Sequence, residues 1–332
     1  MRRLIRIAGW LALTLVVLVA VVLVGFRGAA ALRETLSPEQ AAPAGALFVT
    51  VDGLKMHYQV WGPSDGPPLL LFHGTASWAE TYRDIAAPLG EQGFRVIAPD
   101  MPPFGYSERP ADQDYSRAAH AKRVLGFADA LGLRHFSVGV HSYGGGGVIE
   151  AAFLAPERID SMILLDVALG LGRTEAPALP LGSILNMAWP RQLFTASTFT
   201  NPLMVGPGLR SFIGNDAVVT PERIAIYARP LNVEGTTSAV GHWLLSGLFN
   251  DERKSLAANP ANYRAFTPPV LVIWGREDTT TPLEQGQEIA SLFAHAELAV
   301  LDGVNHIPQV ERPPDVVRLI ANFLKRALPA TR

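Results

Sequence analysis

The chain has 332 residues, of which 48% are hydrophobic and 17% are charged, and its formal net charge is −2. The near-neutral charge, without a long basic run, argues against a nucleic-acid partner. Cysteine is absent, which excludes disulfides and thiolate nucleophiles, and the eight histidines lack the paired spacing of a metal centre. We therefore expect no metal and no cofactor.

The first predicted element is a membrane-spanning helix at residues 7–26, preceded by a basic segment that begins the chain. About 20 apolar residues at about 1.5 Å each cover a hydrocarbon core of about 30 Å. Arg2, Arg3 and Arg6 precede the helix, which predicts a cytoplasmic N-terminus and a catalytic domain outside the cytoplasm. Because the alanines at 29–31 resemble a cleavage site, secretion after signal cleavage is the alternative.

Residues 27–45 carry prolines and scattered charge without apolar periodicity, which predicts a linker. Beyond it, strand-like and helix-like segments alternate, as in an α/β fold with a mostly parallel sheet and helices on both faces. The eight predicted strands are 47–51, 55–61, 69–73, 95–98, 136–141, 161–166, 270–274 and 299–301. The predicted helices are 79–90, 117–131, 145–154, 283–293 and 315–328.

A long interval, 168–268, interrupts this alternation after the sixth predicted strand. It contains prolines, aromatic residues and helix-like pieces at 221–227 and 240–249. A segment of this length with its own apolar content predicts a lid over a site. The predicted organisation is therefore a core of 46–167 and 269–329 with a helical cap of 168–268.

Ser142 stands where a buried strand turns into a helix that opens with the glycines at 144–147. A serine on a sharp strand-to-helix turn presents its hydroxyl clear of the sheet, and its neighbours must be small. Val140 does not fit this demand, so a small residue on an adjacent element must accommodate it or the turn is distorted. The alternatives are a helix N-cap at Ser142 and a flexible loop or phosphate cradle at the glycines.

Two backbone amides are predicted to form an oxyanion hole. Thr75 follows the apolar strand 69–73 and Gly74, and Tyr143 follows the serine. Such donors contribute roughly 3–4 kcal/mol each to transition-state stabilisation. The alternative is an ordinary turn that needs glycine. His73 is predicted to be a structural hydrogen-bonding residue rather than a base.

Asp278 follows the buried strand 270–274 and is predicted to orient a histidine. We favour it over Glu277 because it lies just before the turn toward the next helix. Its alternative role is to cap that helix, and Asp166, after the sixth strand, is the reserve candidate.

His306 lies in a loop after the last strand, 28 residues beyond Asp278, where it can meet both the acid and the serine. The alternative is a surface histidine. The order serine, acid, histidine is that expected of this type of fold.

Taken together, the segments 73–74, 100–107, 141–145, 274–278 and 305–313 resemble the α/β-hydrolase fold family of the cap-bearing serine hydrolase type. The resemblance covers about residues 46–328. Ser142 separates the chain from branches similar to epoxide hydrolases and haloalkane dehalogenases, which have aspartate there. Val140 and Pro103 depart from the family pattern.

The resemblance implies a cofactor-independent hydrolase with the catalytic triad Ser142, Asp278 and His306. We expect it to cleave a small, lipophilic carboxylic ester through an acyl-enzyme, and to contact the membrane through its N-terminal helix. The same triad also serves amide, thioester and C–C bond cleavage. A non-catalytic binding protein with this fold is the alternative that Val140 leaves open.

Overall fold

Eight strands form one sheet in the computed structural model, which describes residues 2–171 and 182–328. Met1, residues 172–181 of the predicted cap and residue 329 of the predicted core lie outside the described residues. The strands are β1 (Leu47–Val51), β2 (Leu54–Trp61), β3 (Pro68–Phe72), β4 (Arg95–Pro99), β5 (Phe136–His141), β6 (Ile159–Leu165), β7 (Val270–Gly275) and β8 (Ala296–Leu301).

The sheet order is β1-β2-β4-β3-β5-β6-β7-β8. β2 pairs antiparallel with both β1 and β4, and the pairs from β4 through β8 are parallel. This arrangement confirms the predicted eight-stranded, mostly parallel sheet. The continuous apolar runs of the central strands arise because both of their faces are buried.

The helices within the described residues are α1 (Arg2–Arg33), α2 (Pro38–Ala41), α3 (Arg83–Glu91), α4 (Arg117–Ala130), α5 (Gly145–Leu154), α6 (Gly182–Leu185), α7 (Ala188–Ser197), α8 (Pro202–Phe212), α9 (Pro221–Ala228), α10 (Thr236–Trp243), α11 (Pro260–Ala265), α12 (Leu283–Leu292), α13 (Pro308–Glu311) and α14 (Pro313–Ala327). A 3₁₀ turn, Ala79–Tyr82, precedes α3. Apolar residues of α4, α5 and α12 pack on one face of the sheet, and those of α3 and α14 pack on the other. Alternate residues of β7 therefore belong to opposite layers of the core.

The long interval between β6 and β7 is helical where the structure describes it, from α6 to α11. Helix α9 matches the predicted piece at 221–227, and α10 continues into a π-helical turn, Leu244–Leu248, over the piece at 240–249. We refer to residues 182–265 as the insertion.

The N-terminal helix α1 is longer than the predicted span. Within residues 3–33, the most apolar stretch of 18 residues has a mean hydropathy of 2.9. The helix is therefore long and apolar enough to cross a membrane. The prediction of a linker from residue 27 is wrong up to Arg33, because the alanine-rich stretch continues the helix. Its charged residues, which suggested a loop, bond to the insertion instead, as Arg33 does to the carbonyl oxygen of Leu231 at 2.9 Å.

Candidate active site

Three of the candidate side chains project from the same edge of the sheet. Ser142 directly follows β5, Asp166 directly follows β6, and Asp278 lies three residues beyond β7. Since β5, β6 and β7 are parallel, their carboxyl ends meet at one edge. The topology therefore brings together residues that are far apart in the chain.

Ser142 occupies a sharp turn with φ of +53°, a backbone region that residues other than glycine rarely adopt. The strained conformation is typical of a serine held clear of a strand end. Ser142 bonds through its hydroxyl to His306, which contradicts the alternative of a helix N-cap. The turn is thus formed despite Val140.

The residue that accommodates Val140 is Gly144, within the turn itself. A Cβ at position 144 would lie 3.0 Å from Cγ2 of Val140 and 2.5 Å from the carbonyl oxygen of His73. Gly144 belongs to the 3₁₀ turn that directly follows β5, and it is the small residue that stands against Val140. The glycine needed for close packing stands two residues after the serine and not two residues before it.

The remaining glycines of this run bring α5 close to its neighbours. A Cβ at Gly146 would lie 2.5 Å from Nε of Arg117, and one at Gly147 would lie 2.5 Å from Cβ of His120. Both partners are on α4. The run therefore serves helix packing, and the alternatives of a flexible loop and a phosphate cradle are not needed to explain it.

Ser142, His306 and Asp278 form a continuous chain of hydrogen bonds. Nε2 of His306 lies 2.8 Å from Oγ of Ser142, and its Nδ1 lies 2.8 Å from Oδ2 of Asp278. His306 is 3% exposed, which contradicts the alternative of a surface histidine. The three predicted side chains are thus brought together at the distances that proton transfer requires.

The carboxylate of Asp278 is fixed by the turn that follows it. Oδ1 accepts hydrogen bonds from the amides of Thr280 at 2.7 Å and Thr281 at 2.9 Å, and Oδ2 accepts one from the Thr281 hydroxyl at 2.6 Å. Burial raises the pKa of Asp278, but His306 and the Thr281 hydroxyl lower it to about 2 overall. Asp278 is not a cap of α12, because that helix begins at Leu283.

The reserve candidate Asp166 is a second buried carboxyl beside Asp278. Its φ is +42°, its side chain is fully buried, and its Oδ1 accepts a hydrogen bond from the amide of Gly275 at 2.9 Å. Burial and the neighbouring Asp278 raise the pKa of Asp166 well above its ordinary value. The raised pKa of Asp166 and the lowered pKa of Asp278 favour a neutral Asp166 beside an ionised Asp278, and His306 has Asp278 as its hydrogen-bonding partner.

The loop that carries His306 is held by groups that the sequence reasoning missed. Glu311 accepts hydrogen bonds from the amides of Gly214 at 2.7 Å and Asn305 at 3.1 Å. His141 donates through Nε2 to the carbonyl oxygen of His306 at 2.7 Å, and burial lowers the pKa of His141 to about 3. In the sequence, the only sign of these roles was that positions 141 and 311 lie in the same motifs as Ser142 and His306.

The two predicted oxyanion residues lie beside the serine. A Cβ at Gly74 would lie 2.9 Å from Cβ of Ser142, so the backbone leading into Thr75 passes directly against the serine. Thr75 and Tyr143 line the same cavity as Ser142. As predicted, His73 is a structural residue: its Nδ1 donates to the carbonyl oxygen of Gly74 at 2.8 Å, and its Nε2 accepts from the amide of Met101 at 2.8 Å.

Two cavities meet at this edge of the sheet. One of about 500 Å³ is lined by Ser142, Tyr143 and His306, and one of about 270 Å³ extends beneath α8 of the insertion. Residues that line both cavities are Thr75, His141, Phe199, Phe212 and Ile307. The serine therefore lies at the junction of two spaces, which suits a substrate with two groups on either side of a scissile bond.

Within the described part of the chain, one group of side chains could hold a metal ion. It consists of Asp166, Asp278 and His306, whose ligand atoms all lie within 4.8 Å of one another. Both ring nitrogens of His306 already face hydrogen-bonding partners. A metal ion at this position would have to replace the hydrogen bonds that connect the three side chains.

Comparison with known proteins gives relatives that are hydrolases. A 2-hydroxymuconate semialdehyde hydrolase from Pseudomonas putida is 30% identical over 273 residues, which cover 79% of this chain and 89% of that protein. A 2-hydroxy-6-oxo-6-phenylhexa-2,4-dienoate hydrolase from Burkholderia cepacia is 27% identical and covers 83% of this chain and 95% of that protein. Among solved structures, a membrane phospholipase A described as a novel bacterial virulence factor is 25% identical, with a TM-score of 0.67, over 98% of this chain and 99% of that one.

The family model of the alpha/beta hydrolase fold matches residues 67–313, which include every candidate residue of the site. The sheet order and the position of the insertion agree with that match. The chain therefore belongs to the alpha/beta hydrolase fold family and is a hydrolase.

Proposed function

We propose that this protein hydrolyses lipophilic carboxylic esters through Ser142, His306 and Asp278. The observation that carries the proposal is the buried chain of two 2.8 Å hydrogen bonds that links the serine hydroxyl to a carboxylate. A histidine placed between these groups can remove the serine proton at neutral pH, and the carboxylate stabilises the imidazolium that results.

In the first half of the reaction, His306 takes the proton of Ser142 while Oγ attacks the carbonyl carbon of the ester. The amides of Thr75 and Tyr143 stabilise the negative charge on the carbonyl oxygen. His306 then gives its proton to the leaving alcohol, and an acyl-enzyme remains. In the second half, water attacks the acyl carbon with His306 as the base, and Ser142 is released.

A lipophilic substrate is supported by the composition of the 270 Å³ cavity. Its walls under the insertion include Val205, Leu209, Phe212 and Leu231, and the cavity continues to the junction beside Ser142. Apolar walls favour an acyl chain because its burial is worth about 0.8 kcal/mol per methylene group.

The C–C bond hydrolases among the relatives support a second function, cleavage of a dienoate substrate on the same triad. A dienoate carries a carboxylate, which requires a cationic or hydrogen-bonding partner. Each arginine that lines the two cavities has a protein partner, and within the described residues the one buried atom of these arginines without a hydrogen-bond partner is Nε of Arg109. Arg109 and Arg117 donate to backbone carbonyl oxygens, and Arg253 pairs with Asp251 at 2.7 Å. These pairings favour the neutral ester.

We also propose that α1 is an uncleaved membrane anchor and that the catalytic domain lies outside the cytoplasm. The basic residues before α1 support this orientation. The likeness to a membrane phospholipase A extends over 98% of the chain and so reaches into α1. Contacts between α1 and the insertion, such as the 2.9 Å hydrogen bond from Arg27 to Gln192, are also expected of a retained helix.

The direct test is Ser142→Ala in the full-length protein, with Ser291→Ala, an exposed serine on α12, as the control. We expect p-nitrophenyl ester turnover and fluorophosphonate labelling to be lost in Ser142→Ala and retained in the control. Full turnover in Ser142→Ala refutes the nucleophile, and a folded wild-type protein that neither turns over esters nor takes the label is a binding protein. Faster cleavage of a chromogenic dienoate than of any ester would select the second function.

A further inference from the structure

The carboxyl-terminal part of α1 packs against the insertion along one face. Between residues 21 and 30, the side chains with reduced exposure are those of Leu23, Phe26, Arg27 and Ala30, which recur at helical spacing. Two of them, Leu23 and Phe26, belong to the apolar stretch 7–26 that would occupy the bilayer. The insertion therefore contacts α1 inside the span itself.

The register of this contact shows which part of the insertion lies deepest. Arg27 bonds to Gln192 at 2.9 Å, and Arg33 bonds to the carbonyl oxygen of Thr200 at 2.8 Å, so α1 and α7 run in the same direction. At about 1.5 Å per residue, the step of four residues from Arg27 back to Leu23 is about 6 Å. The same step along α7 leads from Gln192 to its first residue, Ala188. The start of α7 is therefore level with Leu23.

Large apolar side chains are exposed around the start of α7 and, beyond its end, at the start of α8. Outside α1, nine such side chains are exposed among the described residues, and six of them lie between residues 184 and 212. Such a concentration in one segment marks an interaction surface, because scattered exposed apolar residues are ordinary. We name two groups of these side chains together the cap apolar surface: Ile184 (45% exposed), Met187 (55%) and Trp189 (69%) around the start of α7, and Leu203 (73%) and Met204 (43%) at the start of α8.

The charges of this segment fit a bilayer. From residue 182 to residue 212 the chain has two arginines, Arg191 and Arg210, and no carboxylate. Arg210, at the end of α8, is exposed. Arg191 is buried, so the exposed charge that this segment contributes is the positive charge of Arg210, which suits lipids with anionic headgroups.

We infer that the cap apolar surface lies in the interfacial layer of the bilayer that α1 spans. This inference rests on the proposed membrane anchor. The start of α7, level with Leu23, is held at the boundary of the hydrocarbon, where tryptophan side chains such as Trp189 are enriched. The start of α8 follows Thr200, which bonds to Arg33, and so lies about 15 Å farther out along α1, on the headgroup side. Met204 belongs both to this surface and to the wall of the 270 Å³ cavity, so the cavity wall reaches the headgroup side of the surface. The occupant of the surface is lipid, and a lipid-dissolved ester reaches the cavity from there.

The test uses the absence of cysteine in the chain. Single cysteines replace Trp189 or Leu203 in the full-length protein, carry a polarity-sensitive fluorophore and are reconstituted in vesicles of phosphatidylethanolamine and phosphatidylglycerol. Leu154→Cys, on an exposed residue of the core, is the matched control. We expect emission at 189 and 203 to shift to shorter wavelength on reconstitution and to be quenched by brominated lipids, with no change at 154. Emission at 189 and 203 that matches residue 154 overturns the inference.

A fluorophore at Leu15→Cys separates this result from a failure of the anchor. Lipid quenching at 15 without quenching at 189 and 203 refutes the cap apolar surface alone, whereas absence of quenching at 15 refutes the proposed anchor. Turnover of a water-soluble ester by the labelled proteins reports the proposed hydrolase separately.

A functional test compares two substrates in the double variant Trp189→Glu/Leu203→Glu. Neither residue lines a cavity that contains or adjoins Ser142. We expect hydrolysis of a vesicle-embedded long-chain ester to fall about tenfold, equivalent to about 1.4 kcal/mol, with turnover of a soluble short-chain ester unchanged. Equal rates for wild type and variant on the embedded ester contradict the inference, as does an equal loss on both substrates.

Discussion

The sheet edge and the insertion form opposite walls of the same cavities, but they are built in different ways. At the sheet edge, Ser142 and Asp166 are held by strained backbone directly after buried strands, and Asp278 is held by three hydrogen bonds. The insertion contributes mainly apolar side chains from short helices. The comparison teaches that reaction chemistry needs fixed polar atoms, whereas substrate preference needs only apolar walls of suitable shape.

The largest expected effect separates the two carboxyls of the sheet edge. We expect Asp278→Asn to lower kcat by about 10⁴-fold, because the amide cannot stabilise the imidazolium or hold its tautomer. Asp166→Asn leaves Asp278, the partner of His306, in place, so we expect it to lower kcat far less. Steady-state kinetics on a soluble ester measure both, with melting temperatures as the check on folding. A larger loss of kcat in Asp166→Asn than in Asp278→Asn would indicate that Asp166, and not Asp278, is the acid of the triad.

The strained turn provides the next test of the sheet edge. In Gly144→Ala, the added Cβ meets the carbonyl oxygen of His73 and Cγ2 of Val140, which we expect to destabilise the fold by about 1–3 kcal/mol and to lower kcat. Gly28→Ala is the control, since no atom lies within 4 Å of its added Cβ. Val140→Ala in the Gly144→Ala background should restore part of the melting temperature. No restoration would mean that Val140 and Gly144 are not coupled.

A smaller and selective effect is expected in the insertion. Phe199 lines both cavities, so Phe199→Ala should change the acyl-chain preference while leaving the reaction chemistry intact. We expect kcat/KM for a long-chain p-nitrophenyl ester to fall about tenfold and that for the acetate to stay nearly constant. Leu154→Ala, on the surface of the core, is the control. A uniform loss across chain lengths would show that Phe199 acts on the sheet edge instead.

The smallest effect concerns the pH dependence of stability. Because the pKa of Asp166 is raised, the folded protein keeps a proton that the unfolded chain releases above about pH 4. The folded state then binds more protons, so the free energy of unfolding decreases as the pH rises from that point toward the raised pKa. Asp166→Asn lacks this decrease. We expect its melting temperature, relative to the wild type, to rise as the pH increases above about 4, and a constant difference would contradict the raised pKa of Asp166.

The sheet edge was predictable because its strands are continuous apolar runs that end in small or polar residues. The candidate residues Ser142, Asp278 and His306 each follow such a run, and their meeting requires only that the strands be parallel. Two features were not predictable. The packing of Val140 against Gly144 depends on the path of the turn, and the raised pKa of Asp166 depends on its burial and on the neighbouring Asp278.

The insertion was less predictable, since its helices are short and are stabilised by contacts distant in the chain. Arg27 and Arg33 read as signs of a linker because their partners, Gln192 and the carbonyl oxygens of Thr200 and Leu231, lie more than 160 positions away. Charge in a sequence does not distinguish a solvated side chain from one that bonds across a domain.

The insertion is attached to the end of α1 by hydrogen bonds to two consecutive residues, Arg33 and Glu34. Arg33 joins α1 to the insertion at two carbonyl oxygens, and Glu34 accepts from the amide of Thr237 at 3.0 Å. Any displacement of the insertion relative to α1 would therefore have to break these three hydrogen bonds.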